Sequence, residues 1–373
     1  MTDSKKTNNP VSESSAELTP RQRGYHMPAE WEPHAATWLA WPHNQEDWPG
    51  KFEPIPWIIA DIIRHIASAE KVELIVESAS RIPVIRDILD KSAVKLSAVR
   101  FHALKTDRIW TRDSGPIFVK KAGAEKGGII ASGWRFNAWA KYDNYHRDAL
   151  VPTYAAKVLG MPIHHPTATR TDGKSVRLVL EGGSIDANGA GCLLTTEECL
   201  LSKVQCRNPG ISRLVLEQKL CDNLGVEKIL WLHSGIVGDD THGHIDDTAR
   251  FVRSTAIAAC VEPNSRDANH RRLKENIRRL KSMRDVSGRS FDIIELPLPK
   301  PVCFEKQRLP ASYANFYICN AGVMVPVFND PADVQALKIL EQCFPDRRII
   351  PVYCRDLVWG LGTLHCMTQQ QPR

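Results

Sequence analysis

The strongest constraint in this chain is a unit that recurs about every 50 to 70 residues. A polar or acidic cluster opens a β-branched or aromatic run, and a Gly or Asn turn reverses it into a second apolar run. "RDSGPIFVKKAGAEKGGIIASGW" is one case and "EGGSIDANGAGCLLTT" another, with Asn188-Gly189 near the turn. "GHIDDTARFVRSTAIAACVE" opens a third, "YANFYICNAGVMVPVF" turns at Asn320-Ala321-Gly322, and "GLGTLHCMTQQ" comes last. Asp113, Glu181, His244, Asn315 and Cys366 mark successive units. Identity between the units is low, so they read as structural modules rather than sequence repeats. Helical patterns lie between them: "WIIADIIRHIAS" before the strand-like "KVELIVES", "ISRLVLEQKLCDNLG" with Ser212 as N-cap and Gly225 as C-cap, and "DPADVQALKILEQCF". The expected architecture is α/β: several strand-hairpin-helix units about a common centre, each delivering its polar opening cluster to one place.

With 373 residues, the chain has ample material for a core. Residues 1–26 are polar and read as a disordered tail, leaving 27–373 as a single domain. The ten cysteines form no CxxC pair, which predicts reduced thiols in a cytoplasmic protein. No stretch approaches the roughly 20 apolar residues of a membrane span. The net charge of +6 is concentrated in "RRLKENIRRLKSMR", where seven bases face one acid. Leu273, Ile277 and Leu280 fall there at helical spacing, so the segment reads as an amphipathic helix with a solvated basic face. Without interleaved aromatics it predicts neither nucleic-acid nor membrane binding. Trp31, Trp38 and Trp41 are core or the wall of a pocket.

"GDDTHGHIDD" crowds two histidines and four acids into one stretch. His-x-His-x-Asp suits hydrolytic zinc, yet no second His-rich cluster completes a coordination sphere. His164-His165 in "MPIHHP" reads as a loop. No metal or other cofactor is expected, and a metal-dependent hydrolase stands as the rival class. Read as a strand, "GHIDDTARFV" sends His244 and Asp246 to one face, placing a base beside a carboxylate. "RIWTRDSGPIFV" puts Trp110 near Asp113, and "LEGGSID" puts Glu181 before a Gly-Gly pair where backbone can approach a ligand. With Cys366, the set comprises a thiol, an imidazole, carboxylates and flat tryptophans. A guanidinium suits several carboxylates, because it is planar, permanently charged and offers paired N–H donors. Its central carbon is a poor electrophile, which calls for a nucleophile as strong as thiolate.

From about Met27 to Pro372 the motifs "MPAEWEPHAATWLAWP", "WTRDSGPIF", "LEGGSID", "LLTTEECLL", "GDDTHGHIDD", "YANFYI" and "HCMTQQQP" resemble the agmatine deiminases, in the group that also holds the bacterial peptidyl-arginine deiminases. The resemblance implies a five-bladed pseudo-symmetric α/β propeller, the pentein fold. It also implies cofactor-free hydrolysis of agmatine to N-carbamoylputrescine and ammonia. Carried over, Cys366 is the nucleophile, His244 the general acid and base, Asp113 and Asp246 the guanidinium-binding carboxylates, and Glu181 the acid that orients histidine and substrate. Trp110 packs along the alkyl chain, Asn315 is a polar group of the pocket wall, and Asp240 meets the distant ammonium with a shorter side chain than the Glu often found there. A small-molecule guanidinium substrate and a homo-oligomer are the implied partners.

"GLGTLHC" departs from the usual approach to the nucleophile: Leu361 and Thr363 stand where a Gly and an Asn are common. A required positive φ there would alter the local geometry. Deimination of free or peptidyl arginine is the nearest rival, needing a cation at the pocket mouth such as Arg135 or Arg147. An amidinotransferase would use the same thiol with an amine acceptor.

Overall fold

The computed structural model describes residues 18–123 and 128–373. Five of its sheets repeat one pattern: two antiparallel strands, a helix, and a third strand parallel to the second. A parallel neighbour cannot be reached by a tight turn, so the helix is the crossover. In the first unit Ile117–Lys121 pairs with Ile129–Ser132, the helix Val151–Leu159 follows, and Ile163–His164 runs parallel. The second contains Asp186–Ala187, Cys192–Thr196, the helix Arg213–Leu224 and Lys228–Leu232. Ala249–Arg253, Ala256–Val261, Asn269–Ser282 and Asp292–Pro297 make the third. Tyr317–Cys319, Gly322–Val327, Ala332–Cys343 and Ile349–Tyr353 make the fourth. The fifth joins the two ends of the chain: Gln369–Pro372 pairs antiparallel with His34–Ala40, which runs parallel to Lys71–Val76 across the helix Ile55–Ala67. Three residues after Cys366 the chain therefore enters a strand, with Gln369 and Gln370 buried.

Local sequence accounts for these elements. Ser212 caps its helix by accepting from the Val215 N–H at 3.3 Å, and Gly225 ends it at φ 63°. The helix Ile55–Ala67 buries Ile55, Ile59, Ile62, Ile63 and Ile66 along one stripe. Leu273, Ile277 and Leu280 are likewise buried, and the basic face opposite is partly paired, Arg272 with Glu198 and Arg279 with Glu197. No helix among the described residues is long and apolar enough to cross a membrane.

Three expectations need correction. The expected tail is folded at its end: Tyr25–His26 is a strand against Lys120 and Lys121, anchored by the N–H of Met27 on the Leu224 carbonyl; residues 1–17 lie outside the described residues. "GHIDD" is not a strand, because Ile245–Asp247 forms a 3-10 turn and the strand starts at Ala249. Asp239 Oδ2 accepts from the N–H groups of Gly243 and His244, fixing that turn where a ladder would otherwise run. His164 closes a short strand rather than a loop and bonds Asn223 at 2.7 Å. Trp38 and Trp41 are core, Trp38 stacking on His102.

Candidate active site

The polar cluster of each unit folds into a short turn before its hairpin. Thr111–Ser114, Gly182–Ser184, Ile245–Asp247 and Tyr313–Asn315 pack in succession against one another. The Cys366 segment bridges the two ends of that series: the His365 N–H donates to Asn315 Oδ1 at 3.0 Å, and the Arg112 N–H donates to the Cys366 carbonyl at 3.2 Å. Five sites far apart in sequence thus meet in one place.

Cys366 Sγ lies 3.1 Å from Asn315 Nδ2 and 3.7 Å from Asp246 Oδ2. Asn315 also donates to Asp247 Oδ1 at 3.0 Å and accepts from Thr363 Oγ1 at 2.7 Å, so it holds the thiol segment on two sides. His244 stands among three carboxylates, Nδ1 being 3.9 Å from Asp113 and 4.0 Å from Asp246, and Nε2 3.7 Å from Glu181. Neither ring nitrogen reaches a hydrogen-bond partner. Asp113 accepts from the Gly183 N–H at 3.0 Å and Trp139 Nε1 at 2.9 Å. A Cβ on Gly183 would stand 2.6 Å from His244 Nδ1 and 2.8 Å from Asp113 Oδ1, so only glycine fits between base and carboxylate. Gly362 is equally confined, its Cβ falling 2.8 Å from the Trp110 ring and 3.1 Å from Cys366 Cβ.

The electrostatics are those of a site awaiting a cation. Burial, then Asp246, Asp247 and Asp113, push the Cys366 thiol well above its ordinary range. Burial opposes charge on His244, yet Asp113, the Cys199 thiol and Glu181 raise it well above neutral imidazole. Burial lifts Asp113 to about 6, reinforced by Asp246 and Glu181 and opposed by His244. Against the same penalty, Arg207 and His244 hold Glu181 at about 2, with Arg207 Nε 3.0 Å away. Asp247 is pushed well up by burial, Asp246 and Asp239. Among the described residues, Glu181, Cys199 and His244 form one group of potential ligand atoms within 4.8 Å, and Asp246, Asp247 and Cys366 another. Apart from Cys199, both groups are built from residues of the thiol site.

Above this floor opens a cavity of about 400 Å³. Trp110, Asp113, Asp240 and Cys366 line it; Glu181, His244, Asp246 and Asn315 lie buried beneath. Asp240 is already engaged, by Lys141 through Oδ1 and by Tyr142 OH through Oδ2 at 2.7 Å. Asp47 also lines the cavity, with Oδ2 buried and unpartnered and Arg108 Nε 3.6 Å from Oδ1. Burial raises Asp47 to about 7 despite Arg108. The arginine that lines this cavity is Arg108; Arg135 and Arg147 do not. Reading the sequence missed Asp47, Trp139, Arg207 and Asp247. Asp247 stood beside a chosen acid; Arg207 lies in "QCRNPG", with no local pattern to betray a partner so distant in sequence.

The chain belongs to the Porphyromonas-type peptidyl-arginine deiminase family, whose sequence profile matches residues 26–372. Its relatives carry a narrower name. It is 36% identical to agmatine deiminase of Ectopseudomonas mendocina over 95% of this chain and 97% of that protein. With agmatine deiminase of Pseudomonas aeruginosa it shares 35% over 96% and 98%. Among solved structures, agmatine deiminase of Enterococcus faecalis superposes with a TM-score of 0.85 at 31% identity, covering 96% and 98% of the two chains. A Cys-to-Ser variant of the C. jejuni agmatine deiminase with substrate bound gives 0.81 at 30%, covering 94% and 96%.

Proposed function

We propose that this protein hydrolyses agmatine to N-carbamoylputrescine and ammonia through a covalent intermediate on Cys366. The observation that carries the reading is a buried thiol set among carboxylates and an imidazole at the floor of a cavity, in a chain similar over nearly its full length to agmatine deiminases. The five repeated units are read as the blades of a pentein-type propeller, with the site at its centre. The chain is further read as a cytoplasmic homo-oligomer, which light scattering and cell fractionation would test.

The guanidinium docks between Asp113 and Asp246 and brings positive charge beside Sγ. That offsets the carboxylates that keep the thiol protonated, and the thiol proton passes through the cavity to solvent as the substrate settles. The thiolate attacks the central carbon. His244, already charged, protonates the departing nitrogen, the C–N bond breaks and ammonia leaves. The resulting S-alkylthiouronium is attacked by water, whose proton passes to the now neutral His244. The C–S bond then breaks, giving the carbamoyl product and free thiol. Glu181 stabilises the imidazolium throughout, anchored in turn by Arg207.

Charge at the mouth favours agmatine over arginine. An α-carboxylate would have to displace Asp47 from Arg108, whereas an ammonium finds the unpartnered Asp47 Oδ2. Asp47 is therefore a better-placed acceptor than Asp240, which must first release Lys141. The test is incubation with agmatine, free arginine and an arginine peptide, quantifying ammonia and carbamoyl product, with Cys366→Ala alongside and a chelator control. Turnover of agmatine, lost in the variant and indifferent to chelator, is expected. Turnover of arginine or peptide instead would move the substrate, chelator sensitivity would favour the metal reading, and an amidino group passed to an amine would mark a transferase.

A further inference from the structure

Beneath Asp246 lies a charged relay that the proposed chemistry does not use directly. His365, the residue before the nucleophile, places Nδ1 2.7 Å from Asp246 Oδ2 and Nε2 2.8 Å from Glu30 Oε2. All three side chains are almost wholly buried. An ionised carboxylate only accepts hydrogen bonds, so both contacts are satisfied together only when both ring nitrogens carry hydrogen, which is the imidazolium. Glu30 is built to face that charge. Its Oε1 accepts from the Ile318 N–H at 2.8 Å, and Arg250 and Arg112 stand 3.0 and 3.4 Å from Oε2. Against burial, Arg250, His365 and Arg112 hold the Glu30 carboxyl well down.

We infer that Glu30 and His365 form a positioning pair that presents Asp246 to the substrate, ionised and with one oxygen free. His365 occupies Oδ2, while Oδ1 is buried and unpartnered, open to one guanidinium N–H. Without that imidazolium, Asp246 would face Asp113, Asp247 and Cys366, none of which favours its charge. His244 and Arg250 would be its remaining cations. Asp113 shows what happens to a carboxyl here that lacks such a partner. The pair thus explains why burial raises one acid of this floor, Asp113, while the other, Asp246, is held down.

The inference rests on the proposed reaction, and the experiment separates the two. His365→Gln keeps one hydrogen-bonding arm and loses the charge. The KM for agmatine should rise about tenfold at neutral pH, with a smaller fall in kcat, because one arm of the clamp on the bound guanidinium is weakened. A merely structural role would lower kcat and folded stability without a KM effect that exceeds the loss of kcat. The wild type serves as control: if it fails to turn agmatine over, the proposed function fails, whereas normal wild-type turnover with an unchanged KM in the variant overturns the relay alone. Should the variant not fold, nitrogen-15 NMR of histidine-labelled wild type at the pH of the assay decides: the two contacts require hydrogen on both ring nitrogens of His365, and a single protonated nitrogen on that ring overturns the inference.

Discussion

The floor and the mouth of the cavity handle charge in opposite ways. On the floor, every ion is buried and most are held by partners inside the protein: Arg207 by Glu181, His365 by Glu30 and Asp246, Arg250 by Glu30 and Asp186. At the mouth the pairs are less completely enclosed: Lys141 is well exposed where it meets Asp240, and Arg108 and Asp47, though largely buried, stand 3.6 Å apart. A buried pair costs heavily when halved, because the survivor keeps its desolvation penalty, while a partly solvated pair loses little. The floor is therefore fixed before substrate arrives and the mouth can adjust, which assigns reaction chemistry to one and substrate choice to the other.

Halving a floor pair is the severest way to break that division. Glu181→Gln strands Arg207, whose side chain is fully buried, and should destabilise the fold by about 3–5 kcal/mol in urea denaturation. Turnover should also drop by at least about a hundredfold, since the charged form of His244 loses a partner. The pH dependence has a definite sign. The folded Glu181 carboxyl sits at about 2, below its ordinary 4.5. Its contribution is full above the ordinary value and is lost as pH falls toward 2, on the order of 3 kcal/mol. Wild type should lose its stability advantage over Glu181→Gln across that window. An advantage undiminished at pH 2.5 would show that the pair is not what the carboxylate supplies.

Changes at the mouth should act on KM with little effect on stability. Asp47→Asn is expected to raise the KM for agmatine about tenfold while kcat holds, which is the cost of one partly buried charge pair. Asp240→Asn should cost less, about two- to threefold, because Lys141 already neutralises it. The reverse ranking would return the ammonium to Asp240. Because Asp47 sits at about 7 when the cavity is empty, ammonium binding should draw a proton off it. Calorimetry in buffers of different ionisation enthalpy at pH 6.5, on Cys366→Ala so that neither turnover nor thiol ionisation contributes, would detect that release, and a smaller release when Asp47→Asn is added would assign it.

Much of the floor was legible because it is encoded locally. Cys366, His244, Asp113, Glu181 and Asn315 each open a module, and the hydrophobic periodicity that defines the modules also fixes where their openings lie. The helix caps at Ser212 and Gly225 were readable for the same reason. What was illegible is what depends on partners outside any local pattern. Arg207 reaches Glu181 across 26 residues of its own unit, and Glu30 reaches His365 only where the two ends of the chain meet in the fifth. The 3-10 turn at Ile245–Asp247 was misread as strand because alternation was counted, while the Asp239 carboxylate that captures the turn's N–H groups was read as part of an acidic cluster.

Leu361 lies between the two regions and offers the smallest and sharpest comparison. It lines the cavity and adopts φ 67°, the left-handed conformation suited to a glycine. An L side chain in that region costs about 1–2 kcal/mol. Leu361→Gly removes the strain but adds backbone freedom to the unfolded chain and gives up partial packing against the core. The net change in stability should therefore be within about 1 kcal/mol. Activity should respond more clearly, because the leucine narrows the cavity beside Trp110 and Cys366. If Leu361 belongs to the adjustable mouth, the glycine variant should accept bulkier guanidines with kcat for agmatine nearly unchanged. If it belongs to the fixed floor, kcat itself should fall, since the strained turn would then be what sets the height of Gly362 and the thiol behind it.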